Sequence, residues 1–110
     1  MSLLAQLANT PKPPYYAVIF TSIRTDGDNG FATISKEMVR LATRQAGFLG
    51  MESAREHLGI TVSYWQDLAA IKAWKNNIEH LKAQKLGKEK WYAQFNVRIS
   101  KVEKSYAFTL

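Results

Sequence analysis

The sequence predicts an α+β fold in the order β-α-β-β-α-β, one antiparallel sheet with helices on one face. Three observations predict it. Apolar residues recur in four segments with strand character and in two others at steps of three and four. Clusters of turn-forming residues separate those segments. The chain has 110 residues, about one domain's worth, so the segments must share a single core.

The elements follow in order. Pro11-Lys12-Pro13-Pro14 stops regular structure, so residues 1–14 read as an extended N-terminal arm and residues 15–110 as the domain. Leu3, Leu4 and Leu7 give the arm apolar groups with which to dock. Tyr15 to Arg24 is β-rich and apolar on both alternating faces through Phe20, which calls for cover on both sides. Thr25 to Gly30 is a turn. Phe31, Ile34, Met38, Leu41, Ala42 and Gln45 then mark one face of a helix that Gly47 is placed to stop. Phe48 to Glu56 and Ile60 to Trp65 read as two strands joined by a hairpin at His57-Leu58-Gly59. Asp67 is an N-cap for a second helical region carrying Leu68, Ile71, Trp74, Ile78 and Leu81, with Asn76-Asn77 kinking or dividing it and Gly87 ending it. The last strand puts Trp91, Ala93, Phe95, Val97 and Ile99 on one face and Tyr92, Gln94, Asn96, Arg98 and Ser100 on the other.

That order is the ferredoxin-like plan. A single open sheet covered by helices on one side leaves its other side partly apolar here, and that side needs a partner. Stacking two such sheets in a twofold homodimer would close them into an α+β barrel.

Composition removes several functions. With no Cys, there are no disulfides and no thiolate ligands or nucleophiles. With two His, His57 and His80, one chain cannot build a three-His metal site, and no metal site is expected. No run approaches the roughly 20 apolar residues of a membrane span, and the first residues lack the pattern of a secretory signal, so the expected location is the cytoplasm. The net charge is +6, but the basic residues are scattered and accompany no recognised nucleic-acid module, so no nucleic-acid partner is expected.

Several stretches carry a family resemblance. Gly47-Phe48-Leu49-Gly50-Met51-Glu52-Ser53, Ile60 to Asp67 followed by Leu68 to Trp74, and the landmarks His80 to Ala83, Gly87, Trp91-Tyr92 and Val102 to Tyr106 together resemble the antibiotic biosynthesis monooxygenase-like family over roughly Pro14 to Phe108. The resemblance implies a homodimer joined through its sheet faces. It also implies a cofactor-independent monooxygenase acting on a small aromatic or quinol-type compound, or else a non-catalytic ligand-binding or stress-associated dimer. Heme-degrading members of the family use an Asn on the first strand, a Trp and a His. Trp74 and His80 are present, whereas Tyr15 to Arg24 contains no Asn, so heme stands behind a cofactor-free reading.

The candidate site residues follow from chemistry and position. His80, near an apolar helix face, is the candidate general base or axial heme ligand; its alternative is a structural histidine bonded to a backbone carbonyl or helix end. Trp65 and Trp74 would line an aromatic pocket between sheet and helices, or else pack as core. Arg24, and by the same logic Arg98, would hold an anionic group or pair with an acid at the rim. Ser22 and Asn96 are neutral strand residues able to orient a ligand.

Overall fold

A segment apolar on both faces needs cover on both, and Tyr15–Arg24 receives it from helices on one side and, at its first residues, from the N-terminal arm on the other. In the computed structural model, which describes residues 6–110, this segment is the inner strand β1 (Tyr15–Arg24). The chain continues through α1 (Phe31–Ala42), β2 (Phe48–Arg55), β3 (Leu58–Trp65), α2 (Leu68–Lys75), α3 (Ile78–Leu86) and β4 (Tyr92–Val102). The four strands form one antiparallel sheet in the order β2-β3-β1-β4, the ferredoxin-like architecture that the sequence predicts. None of the helices among the described residues is long and apolar enough to cross a membrane.

Register assigns the faces. Tyr16, Val18, Phe20 and Ser22 of β1 lie opposite Trp65, Ser63, Thr61 and Gly59 of β3 on the helix-covered side, where Trp65 meets Trp74 of α2. Ala17, Ile19, Thr21 and Ile23 lie opposite Tyr64, Val62, Ile60 and Leu58 on the other side.

The N-terminal arm covers one end of that second side. The backbone N–H of Ala8 donates to Glu52 at 2.9 Å, and the hydroxyls of Thr10 and Tyr15 are hydrogen-bonded at 2.9 Å. Ala8 comes so near the strand that a Cβ on Gly50 would lie 3.0 Å from its own Cβ. Tyr15 and Ala17 are consequently buried. Tyr64 donates to the second oxygen of Glu52 at 2.6 Å, and burial together with that carboxylate pushes its phenol well up. Leu7 stays exposed, so it does not anchor the arm; Leu3 and Leu4 lie outside the described residues. Toward its far end the same side leaves Leu58 and Ile60 exposed.

Side-chain caps start the helices. The Asp28 carboxylate accepts from the amides of Gly30 and Ala32 at the head of α1, Asp67 accepts from Ala70 at 2.8 Å, and Asn77 accepts from Glu79 and His80. The second helical region is divided at Asn76-Asn77, because Asn77 caps a new helix instead of continuing the old one.

Four local expectations need correction. The first helix ends at Ala42, short of Gln45, whose side chain folds back onto the Leu41 carbonyl at 3.2 Å. The hairpin turn is Glu56-His57 alone, because Leu58 and Gly59 already pair with Ile23 and Ser22. Gly87 does not stop the chain; it opens a π-helical turn, Gly87–Trp91, and a Cβ there would press on the Tyr92 ring at 3.0 Å. Trp91 therefore ends that turn and is not a strand residue. The register then slips between Ile23 and Arg24, so that Gln94 faces Ile23 while Tyr92 faces Arg24. The extra residue, Ala93, turns Tyr92 onto the helix-covered face with Phe95, opposite to the side that strict alternation gives it.

Two glycines separate strain from contact. Gly47 (φ +83°) and Gly30 (φ +85°) both have left-handed backbone. A Cβ at Gly47 would lie 2.7 Å from the Ala70 Cβ, whereas one at Gly30 would meet nothing within 4 Å. Gly30→Ala is expected to cost about 1–2 kcal/mol from backbone conformation alone. Gly47→Ala should cost more, because α2 must also shift. Urea unfolding of the two variants checks the order, and equal losses would remove the close packing of Gly47 on α2 as a constraint.

Candidate functional site

Trp65, Trp74 and His80 come together as a stack of rings. Trp65 ends β3 with no exposed surface, and its indole N–H donates to Ser63 Oγ at 2.9 Å. Phe48 meets it edge-on at 5.4 Å, and Trp74 stacks on it at 6.1 Å. His80 lies nearly parallel to Trp74, with ring centroids 4.3 Å apart and planes 14° from parallel.

The break between α2 and α3 makes this stack possible. On an unbroken helix, residues six apart stand about 9 Å apart along the axis and on different faces. Here the chain ends α2 at Lys75, turns at Asn76-Asn77, and starts α3 with Asn77 bonded to the His80 amide at 3.3 Å. The turn brings the imidazole back over the indole and leaves the Trp74 carbonyl with a side-chain partner. That carbonyl accepts from His80 Nδ1 at 2.9 Å.

A carbonyl only accepts, so Nδ1 carries the proton in this contact. The neutral ring then presents Nε2 as a lone pair. Burial holds His80 below its ordinary value of 6.5, against the opposing effect of the Trp74 carbonyl, so the neutral form prevails at pH 7. The bond to a backbone carbonyl is what a structural histidine makes, and it also fixes the tautomer that a general base requires.

The other predicted site residues lie elsewhere. Ser22 pairs with Gly59 six positions along β1 from Tyr16, the partner of Trp65, which is about 20 Å away. Arg24 lies two residues further on the same face, with its guanidinium 3.7 Å above the Phe31 ring and bonds to the Gly27 and Asp28 carbonyls. Asn96 pairs with Thr21 on the opposite face of the sheet, beside a concavity of about 180 Å³ bounded also by Ile23, Leu58 and Gln94. The six candidates therefore form three groups and not one pocket. Arg98 lies opposite Ile19, on the side away from Arg24, and is exposed. His57 is exposed in the hairpin turn.

The sequence reading passes over Arg55 and Tyr92. Arg55 crosses Gly59 and donates to Ser22 Oγ and to the Ser22 carbonyl. The available signal is Gly59, the one residue of β3 with no side chain to block that path. Among the described residues, no group of three His, Asp or Glu side chains could hold a metal ion.

Comparison with known proteins gives these arrangements a context. The family model described as antibiotic biosynthesis monooxygenase matches residues 14–86. The uncharacterised Bacillus subtilis protein YqjZ is 46% identical over 104 residues, spanning 93% of this chain and 91% of that one. Among solved structures, SnoaB from Streptomyces nogalater, a cofactor-independent oxygenase, aligns with a TM-score of 0.72 at 11% identity, over 84% of this chain and 97% of that one. The Pseudomonas aeruginosa protein PA3566 aligns at 0.67 and 20% identity, over 87% and 99%. At these identities the solved structures share the fold.

The sign of the His80 shift sets a pH dependence. Its folded-state value lies below 6.5, so the unfolded chain takes up the proton first as pH falls. The contribution is complete above about pH 6.5 and is lost as pH drops through the lower folded-state value. Stability measured by urea unfolding should decline over that window, and His80→Gln should remove this part of the decline. An unchanged profile in the variant would contradict the assignment.

Proposed function

The chain belongs to the antibiotic biosynthesis monooxygenase family, and from that membership we propose that it is a cofactor-independent monooxygenase acting on a small aromatic or quinol-type compound, with His80 as its base. One observation carries the reading: His80 Nδ1 is committed to the Trp74 carbonyl, which leaves Nε2 as an oriented, neutral acceptor. The fold shared with SnoaB supports it. A cytoplasmic location is part of the same reading.

The chemistry needs little else from the protein. Nε2 takes the acidic proton of an anthrone-like substrate, and the resulting electron-rich anion reacts with O2. One oxygen atom becomes the new carbonyl of the quinone product and the other leaves as water, with the substrate CH2 supplying both hydrogens and all four electrons. Trp74 holds the imidazole flat, and burial keeps it neutral so that it can accept the proton. Trp65 has no exposed surface, so its part is to support Trp74 and not to touch the substrate.

Heme stands behind the cofactor-free reading. β1 offers no Asn, and its small polar residue Ser22 is bound by Arg55 and lies away from His80. No step is assigned to heme.

The non-catalytic alternative has one observation in its favour. The Trp65 indole is bonded within its own strand and fully buried, as a purely packed core residue would be. In that case the stack would be structural and the protein would bind a ligand without turning it over.

We also propose that two chains pair through their sheets. Leu58 and Ile60 on the helix-free side are apolar and exposed in the single chain. Sedimentation should give twice the chain mass, and a monomer would overturn this pairing.

Oxygen uptake with a panel of anthrones and hydroquinones tests the enzymatic reading. His80→Ala should slow turnover by about a hundredfold or more, the scale of a lost general base. A variant as fast as the wild type would remove His80 from the role, and no uptake with any substrate, alongside retained ligand binding, would favour the non-catalytic reading.

A further inference from the structure

At the Arg24 end of the sheet, two cations lie on the helix-covered face, and neither forms an ion pair among the described residues. Strand register places Arg55 opposite Gly59 and Gly59 opposite Ser22. The Arg55 guanidinium fills the space over the glycine, where a Cβ would come within 2.2 Å of Cζ. From there Arg55 bonds the hydroxyl and carbonyl of Ser22. Arg24, the next residue of β1 on that face, bonds the Gly27 and Asp28 carbonyls through a single terminal nitrogen, and its buried Nε donates to nothing.

Asp28, four residues from Arg24, uses its carboxylate to cap α1. The ion pairs among the described residues, Arg40 with Glu37 and Lys82 with Glu79, lie on helices elsewhere. Both guanidinium groups act on one phenol. Register sets Tyr92 opposite Arg24, and Arg55 reaches Ser22 on the same face, so the three groups share one neighbourhood; burial pushes the Tyr92 hydroxyl up, and the charges of Arg55 and then Arg24 pull it back.

Rings surround them. Phe20 lies 5.2 Å from Tyr92 and is stacked 5.5 Å from Phe95, and Phe31 lies 5.9 Å from Tyr92. Phe95 is 40% exposed and Arg55 is exposed, so the cluster opens to solvent along β4.

Two like charges converging beside a half-buried phenol repel each other, and an anion placed between them relieves that repulsion. Guanidinium groups are donors only, and their planar fork matches a carboxylate. The neighbouring rings offer apolar faces to a flat body.

We propose that Arg24, Arg55 and Tyr92 form a binding site for the carboxylate of an aromatic acid, with Phe20 and Phe95 against its ring. The site stands on different residues from the proposed base and goes beyond that reading. It holds whether or not the ring stack at His80 is catalytic.

Equilibrium titration with 2-naphthoate and its neutral isostere 2-naphthamide tests it without turnover. The wild type should bind naphthoate at least about tenfold more tightly than naphthamide, the scale of one charge-assisted pair. Raising NaCl from about 0.05 to 0.5 M should weaken naphthoate binding and leave naphthamide binding in place. Arg55→Gln should abolish the preference, and His80→Ala should keep it. Equal affinities in the wild type, a preference that survives Arg55→Gln, or a preference lost in His80→Ala would each overturn the proposal. The salt response of the unmodified protein keeps the test decisive should Arg55→Gln fail to fold.

Discussion

The structure depends on burying one indole. Trp65 stands where three strands meet, opposite Tyr16 of β1 and Phe48 of β2, at the point where the chain leaves the sheet for α2. Its one polar atom must be satisfied there, and Ser63, two residues earlier on the same face, does so. With the N–H bonded locally, the whole ring is free to pack. Phe48 meets its edge and Trp74 its face, so β2, β3 and α2 are fixed to one another through it. Removing a side chain of this size from a core typically costs about 3–5 kcal/mol, a large fraction of a small domain's stability.

The orientation of His80 is inherited from that burial. Trp65 sets Trp74, Trp74 offers both a ring face and a carbonyl, and His80 takes both. The helix break at Asn76-Asn77 supplies the missing geometry, because only a turn brings residues six apart face to face. Asn77 does this with its side chain, which caps the new helix and bonds the amide of His80 itself. Fold and candidate chemistry thus share one chain of contacts. An imidazole held in this way is neutral, oriented and partly shielded, which is what a base near pH 7 requires.

Much of this was legible in the sequence, and the exceptions have physical reasons. The element order follows from periods of two and of three to four, which are local properties of the chain. The division at Asn76-Asn77 follows from the capping chemistry of Asn. Trp65, Trp74 and His80 stand out as residue types, yet their stacking depends on a turn whose direction no local pattern encodes. Strict alternation along the last strand fails at Tyr92, because Ala93 is an extra residue that reverses the face. Asn96 and Ser22 look alike as neutral strand residues, yet the register puts them on opposite sides of the sheet. Arg55 acts across two strands to Ser22, and such a contact exists only once the register is known.

The sheet therefore carries two chemically different ends on its helix-covered side, a neutral ring stack around Trp74 and a cationic aromatic cluster around Tyr92. The first is the centre of the functional reading, and its core assertion concerns the position of one proton. Nitrogen-15 chemical shifts of His80 at pH 7 report that position directly. The expected result is the Nδ1–H tautomer with a bare Nε2. An Nε2–H tautomer or an imidazolium would contradict it, because neither leaves the ring able to accept a proton at Nε2.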